Sequence, residues 1–323
     1  MLLVGHKEQW EYLKRSIENN RVAHAYLFYG PSNIGKRTVA MEFVKLLNCH
    51  NSDIRPCGKC VSCKNFENGI HPDLLVLKPE PPENSDKNDK SGNLAVRINQ
   101  IDKLKSGFSL SPSDSGYKAA IIDGAGAMTY DAQGSLLKIL EEPKGKAVII
   151  IVAEQADQLL STIVSRCQLM RFDLIQREHI KESLEKGNVP KKTAEEISWL
   201  SFGRPGLAVE YYKNLELAEL QKKRIGDFVK LSKAPLVTRF KYAESLAKDT
   251  ELMYSSIDIW ISYFRELLLE SLGKDKNHFI LPAADWSKIK IRNIIRIIEK
   301  IRFIIKTTNA NPRLALEVLF MKI

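Results

Sequence analysis

No stretch of this sequence approaches the roughly 18 consecutive apolar residues that suggest a membrane-spanning helix. Its opening, MetLeuLeuValGlyHisLysGluGln, meets charge too soon for the apolar core of a secretory signal. The expectation is a cytoplasmic protein with no membrane partner. Cysteine is scarce, five in 323 residues, and four of the five crowd into one segment, which argues against a chain stapled throughout by disulfides. None of the six histidines stands at a protease or transferase spacing from a nucleophile. An RNA-binding signature and the Cys-x2-Cys, His-x3-His zinc-finger pattern are both missing. Acidic residues are in deficit, 39 against 49 basic, for a formal charge of +10. That excess favours a polyanion such as nucleic acid through counterion release, although lysines spread over solvated helix faces produce the same number.

What is present is enough for two or three domains with apolar cores. Trp10, Leu13 and Ile17 recur at helical spacing and predict a first helix ending near Asn19 and Asn20. Short apolar runs follow at 25–29, 73–77, 119–123, 147–153 and 168–172, separated by helical stretches; five such runs predict a parallel sheet in an α/β domain. Residues 78–93 are nearly devoid of apolar side chains and read as a mobile loop. Beyond Phe172 the strand signals stop. A Gly-Arg-Pro-Gly break at 203–206 separates short helices, and from about Leu215 the pattern is a helical bundle whose core takes in Trp260 and Trp286. Its last helix starts at Pro312 with Asn311 as N-cap.

Gly30-Pro-Ser-Asn-Ile-Gly35-Lys36 follows the first strand and opens a helix, the setting of a phosphate-binding P-loop. In such a loop the backbone N–H groups and the helix N-terminus face phosphate oxygens, and the lysine reaches the outer phosphates. Two parts are out of order. The Ser or Thr that should follow the lysine and bind magnesium is Arg37, with Thr38 displaced about 100° around the helix. Asp123 ends the third strand as a Walker B aspartate does, but Gly124 follows where a carboxylate should position the attacking water. The candidate nucleotide-binding residues are therefore Gly30, Gly35, Lys36, Thr38 and Asp123, in a site whose hydrolytic parts are degraded; the loop could equally shape the sheet edge and bind nothing.

Cys49, Cys57, Cys60 and Cys63 give Cys-x7-Cys-x2-Cys-x2-Cys. Four thiolates on such turns suit a closed tetrahedral structural zinc site. An iron–sulfur cluster is the rival, but no Cys-Pro follows at the ferredoxin spacing. His71 could replace one cysteine, or pack at the entry to the second strand. Cys167 stands alone, and its expected role is that of a small buried hydrophobe.

HisAlaTyrLeuPheTyrGly at 24–30, the cysteine cluster, HisProAsp at 71–73, LeuLeuLysIleLeuGluGluPro at 136–143 and SerThrIleValSerArgCys at 161–167 resemble the AAA+ clamp-loader subunits of bacterial DNA polymerase III, and among them the delta-prime members. The resemblance implies an AAA+ P-loop domain with a zinc insertion over 1–173, a helical lid over 174–214 and a helical collar over 215–323. It further implies gamma- or tau-type and delta-type subunits as partners, with the sliding clamp and primed DNA engaged through the complex. In the family the arginine of the Ser-Arg-Cys motif enters a neighbour's ATP site, a role that falls here on Arg166; the alternative is an arginine that pairs only locally. Zinc is the expected cofactor, ATP or ADP an open one. The rival classes are an active gamma- or tau-type ATPase and an iron–sulfur or DNA-binding module outside any clamp loader.

Overall fold

The computed structural model describes residues 4–51, 55–82, 94–109, 112–113, 116–142, 145–272 and 286–323. The chain separates into two compact units, Met1–Ile175 with Arg204–Gly206, and Gln176–Gly203 with Leu207–Ile323.

In the first unit the order is α1 (Lys7–Glu18), β1 (Ala25–Tyr29), α2 (Lys36–Leu47), α3 (Val61–Glu67), β2 (Leu74–Leu77), α4 (Ile98–Phe108), β3 (Lys118–Asp123), α5 (Tyr130–Glu141), β4 (Ala147–Ala153), α6 (Ser161–Val164) and β5 (Gln168–Arg171). The strands form one sheet in the order β2-β3-β4-β1-β5, with every pairing parallel. Such a sheet needs helices on both faces, and the alternation along each strand shows how it is covered. Ala25, Leu27, Ala120, Ile122, Ile149 and Ile151 pack with Leu104 of α4 and Leu136 of α5. Tyr26, Phe28, Ala119, Ile121, Val148 and Ile150 pack with Leu13 of α1, Phe43 of α2 and Phe66 of α3. Burial on both sides is why β1, β3 and β4 read as unbroken apolar runs, whereas the edge strand β5 stays largely exposed.

The register sets the carboxyl ends of β1, β3 and β4 side by side, Tyr29 opposite Ala153 and Asp123 opposite Val152. The exit from β1 is pinched: Gly30 N–H donates to Glu154 O at 3.1 Å and Phe172 N–H donates to Tyr29 O at 2.8 Å. Gly30 has φ 143°, and a Cβ there would lie 2.1 Å from Phe172 O, so only glycine fits. The segment expected to be a mobile loop begins tethered, since Glu80 and Ala95 exchange backbone hydrogen bonds of 3.0 and 3.1 Å and Arg97 donates to Glu80 O. Residues 83–93 of that segment lie outside the described residues.

The remaining helices are α7 (Arg177–Lys186), α8 (Lys191–Leu200), α9 (Pro205–Lys213), α10 (Leu215–Leu231), α11 (Leu236–Ala247), α12 (Thr250–Ser271), α13 (Lys288–Thr307) and α14 (Pro312–Met321). Between α7 and α8, Arg177 stacks its guanidinium 3.7 Å from the Trp199 ring centroid, a cation–π contact. The second unit is centred on α12, where Trp260, Tyr263 and Phe264 are fully buried. Phe228 of α10 lies 4.9 Å from Trp260 and 5.1 Å from Phe264, ring to ring, and Phe320 of α14 lies 5.8 Å from Trp260. Trp286 is half-buried against Phe264 at 5.0 Å. Arg239 gathers the carbonyls of Ser232, Ala234 and Phe320 at 2.8–3.0 Å, satisfying acceptors that helix ends leave open. Among the described residues no helix is long and apolar enough to cross a membrane.

α14 begins as its sequence predicts, with Pro312 in the first turn and Asn311 Oδ1 accepting from the N–H groups of Arg313 and Leu314 at 2.9 and 3.4 Å. Asn311→Ala should therefore cost about 1 kcal/mol in chemical denaturation of the full chain, and Asn311→Ser should recover most of it; equal midpoints for all three proteins would show that this cap contributes nothing.

Candidate nucleotide, arginine and metal sites

The loop from Gly30 to Gly35 closes onto the N-terminus of α2, and Gly35, at φ 101°, provides the left-handed turn there. A cleft of about 360 Å³ opens over it, lined by the loop, Thr38, Asp123, Gly124, Glu154 and Gly206. The predicted nucleotide residues Gly35, Lys36, Thr38 and Asp123 thus meet around one cleft, whereas Gly30 does not line it and instead accepts from the Lys36 ammonium through its carbonyl. Gly206 belongs to the break at 203–206. Its N–H donates to Asn33 O at 2.8 Å, and a Cβ there would sit 2.6 Å from that oxygen. Asn33 itself is held at φ 57°.

The two cations in this cleft already have partners. Lys36 is 6% exposed, and its ammonium donates to Gly30 O and Pro31 O, both at 2.6 Å, inside its own loop. Burial lowers its pKa to about 8, against the opposing pull of Glu154 and Asp123. Arg37 Nη1 lies 3.6 Å from Asp123 Oδ2. A guanidinium therefore faces the aspartate that in a working P-loop site would help hold magnesium. Gly124, at φ 76°, has no side chain with which to polarise water, and a Cβ there would come within 3.0 Å of Pro79. Sequence reasoning missed Glu154. The signal was available, because Glu154 ends the β4 apolar run as Asp123 ends that of β3.

Arg166 lies in the turn between α6 and β5. Its Nη2 pairs with Glu141 Oε1 at 2.8 Å and its Nη1 donates to Thr162 O at 3.0 Å, while the side chain stays 37% exposed. Cys167, next to it, packs against the sheet core, and burial pushes its thiol up to about 12, so it is protonated and inert at neutral pH.

The four clustered cysteines meet as expected, with all four sulfurs within 4.8 Å of one another. Four sulfurs about 2.3 Å from a central zinc would be about 3.8 Å apart, and Cys57 and Cys63 are separated by 3.9 Å. Backbone N–H groups converge on the same sulfurs: Cys57 donates to Cys49 Sγ, Lys59 and Cys60 to Cys57 Sγ, and Cys63 to Cys60 Sγ, at 3.3–3.4 Å. The Lys59 and Cys60 N–H groups draw the Cys57 thiol down to about 6, whereas burial pushes Cys63 up to about 12. Four thiols packed this closely cannot all ionise unaided, and a divalent cation is what lets them; the donor set fits zinc. Local folding explains the convergence. Asn48 caps α2 and its side chain accepts from Tyr117 N–H at 2.7 Å, which fixes Cys49 beside the sheet. Cys60 caps α3 and Cys63 sits in its first turn.

His71 packs at the strand entry, stacked on Phe66 with centroids 3.9 Å apart. Its Nδ1 accepts from Asp73 N–H at 3.2 Å, so the ring proton is on Nε2, which faces Ser62 Oγ at 3.1 Å. That tautomer cannot take a proton from Ser62, so the pair is not a nucleophile and base.

Over residues 5–176 the chain matches the family described as "DNA polymerase III, delta subunit". It is 30% identical to DNA polymerase III subunit delta' of Bacillus subtilis over 286 residues, covering 88% of this chain and 78% of that protein. It is 35% identical to the subunit delta' of Pseudomonas aeruginosa across 57% of this chain and 54% of that one. A further match is the subunit tau of Bacillus subtilis, 30% identical across 57% of this chain and 31% of that longer protein. By these matches the chain belongs to the delta-prime subunit family of bacterial DNA polymerase III, the clamp-loader subunits.

Proposed function

We propose that this subunit is a stator of the clamp loader. It hydrolyses little or no ATP itself, lends Arg166 to a neighbouring ATPase subunit, and works in the cytoplasm with gamma- or tau-type and delta-type partners to load the sliding clamp onto primed DNA. The observation that carries the reading is the self-neutralised P-loop. Two cations, Lys36 and Arg37, face two anions, Glu154 and Asp123, and the lysine is held by its own loop. A triphosphate would have to break these contacts and approach the Glu154 carboxylate, while gaining neither a magnesium-binding hydroxyl at position 37 nor a general base at position 124. ATP or ADP is therefore at most a weakly held ligand. Arg166, unlike the buried Lys36, is partly exposed and lies away from the phosphate loop, and a guanidinium brought across an interface stabilises charge developing on a transferred phosphoryl group.

Zinc on Cys49, Cys57, Cys60 and Cys63 would be structural, a closed four-thiolate site that holds the insertion against the end of α2. The helices beyond the sheet are assigned to a lid over 174–214 and a collar over 215–323, the latter joining the subunits.

Steady-state ATP hydrolysis by the isolated, metal-replete chain should stay at background with and without primed DNA. Robust turnover abolished by Lys36→Ala would instead make it a gamma- or tau-type motor. In the assembled complex, Arg166→Ala should slow hydrolysis on the order of 1,000-fold or more at the one site it serves, and an unaltered rate would dispose of the trans role. Elemental analysis should find one zinc per colourless chain, with Cys60→Ser losing the metal and melting earlier. A brown protein carrying iron would replace zinc with an iron–sulfur cluster.

A further inference from the structure

We propose that Glu141 is the positioning residue for Arg166, holding the guanidinium oriented before a neighbour's phosphate arrives. This rests on the trans role of Arg166 proposed above. Glu141 is the last residue of α5, where a carboxylate faces the negative end of the helix dipole and is unfavourable for the helix itself. Its place there is accounted for by what it touches. Glu141 Oε1 takes Arg166 Nη2 at 2.8 Å, and the carbonyl of Thr162, one turn before the arginine, takes Nη1 at 3.0 Å.

Two acceptors on two different nitrogens fix both the direction and the plane of the guanidinium. The N–H groups they do not use remain available for a bidentate phosphate contact. Both partners are well exposed, 37% for Arg166 and 50% for Glu141, so the pair adds little to folding stability; its effect is on geometry. A free arginine must surrender its rotamer freedom when it meets the phosphate, whereas one already held does not, and orientation of this kind contributes to the rate of the chemical step more than to affinity.

The test uses the clamp loader assembled from this chain and its own ATP-hydrolysing partners, with ATP turnover on primed DNA measured for the unaltered complex, Glu141→Gln, Glu141→Asp, Arg166→Ala and the Glu141→Gln/Arg166→Ala double variant. Glu141→Gln should lower kcat on the order of tenfold at the served site and leave KM for ATP within about twofold. Glu141→Asp should fall between it and the unaltered complex, and the double variant should be no slower than Arg166→Ala alone. The melting temperature of the free chain should not move, which separates positioning from folding. If Arg166→Ala is slow while Glu141→Gln keeps or exceeds the original kcat, the positioning role is overturned and the trans arginine survives. If Arg166→Ala itself is without effect, the trans reading fails and the proposal falls with it.

Discussion

Strands buried on both faces have no room along their length for a charged side chain, so the polar chemistry of this domain is delivered at their carboxyl ends. There β1, β3 and β4 finish in register and place Gly30, Asp123 and Glu154 around the start of α2. Everything that follows depends on that edge. The glycine at position 30 is dictated by the backbone of Phe172, and Lys36 is carried to the cleft by the helix the loop opens. A parallel sheet of this kind offers a cradle for an anion at the carboxyl end of its strands, and what the surrounding side chains do decides whether the cradle stays open.

In this chain the lysine of that cradle is already engaged. Ions drawn out of water cost far more than an exposed pair returns, unless the surrounding dipoles and countercharges are in place. For the buried Lys36 two loop carbonyls meet that demand, while Arg37 faces Asp123 from a partly exposed position. Arg166 lies outside that cleft. It sits on an exposed turn, is held by one carboxylate and one carbonyl, and keeps unused N–H donors toward solvent. The lysine of the loop is thus satisfied from within, while Arg166 keeps part of its guanidinium at the surface.

The sheet was legible because double-sided burial writes strands as continuous apolar runs; the predicted runs at 25–29 and 147–153 coincide with β1 and β4, and the others differ by one residue at an end. The cysteine cluster and the Asn311 cap were legible for a different reason, since each is a local arrangement fixed by spacing along the chain. The contacts that set the character of the sites were not. Glu141 and Arg166 are 25 positions apart, and Gly206 reaches Asn33 across most of the first unit's sequence. No periodicity records such meetings. Motif comparison found the residues missing from the phosphate loop, but the pairing of Arg37 with Asp123 that takes their place needed the fold.

Helix α2 connects the phosphate loop to the cysteine cluster. Its first residue is the phosphate-loop lysine, and the residue after its cap is the first of the four clustered cysteines. Twelve residues of helix make a strut about 18 Å long. Asn48 bolts its far end to the approach to β3. A tilt of about 10° at the loop would sweep the cysteine end through about 3 Å, more than a set of tetrahedral sulfur ligands can follow. With its metal in place the knuckle would act as a brace, making that end of α2, and through it the loop at the other end, mechanically stiff.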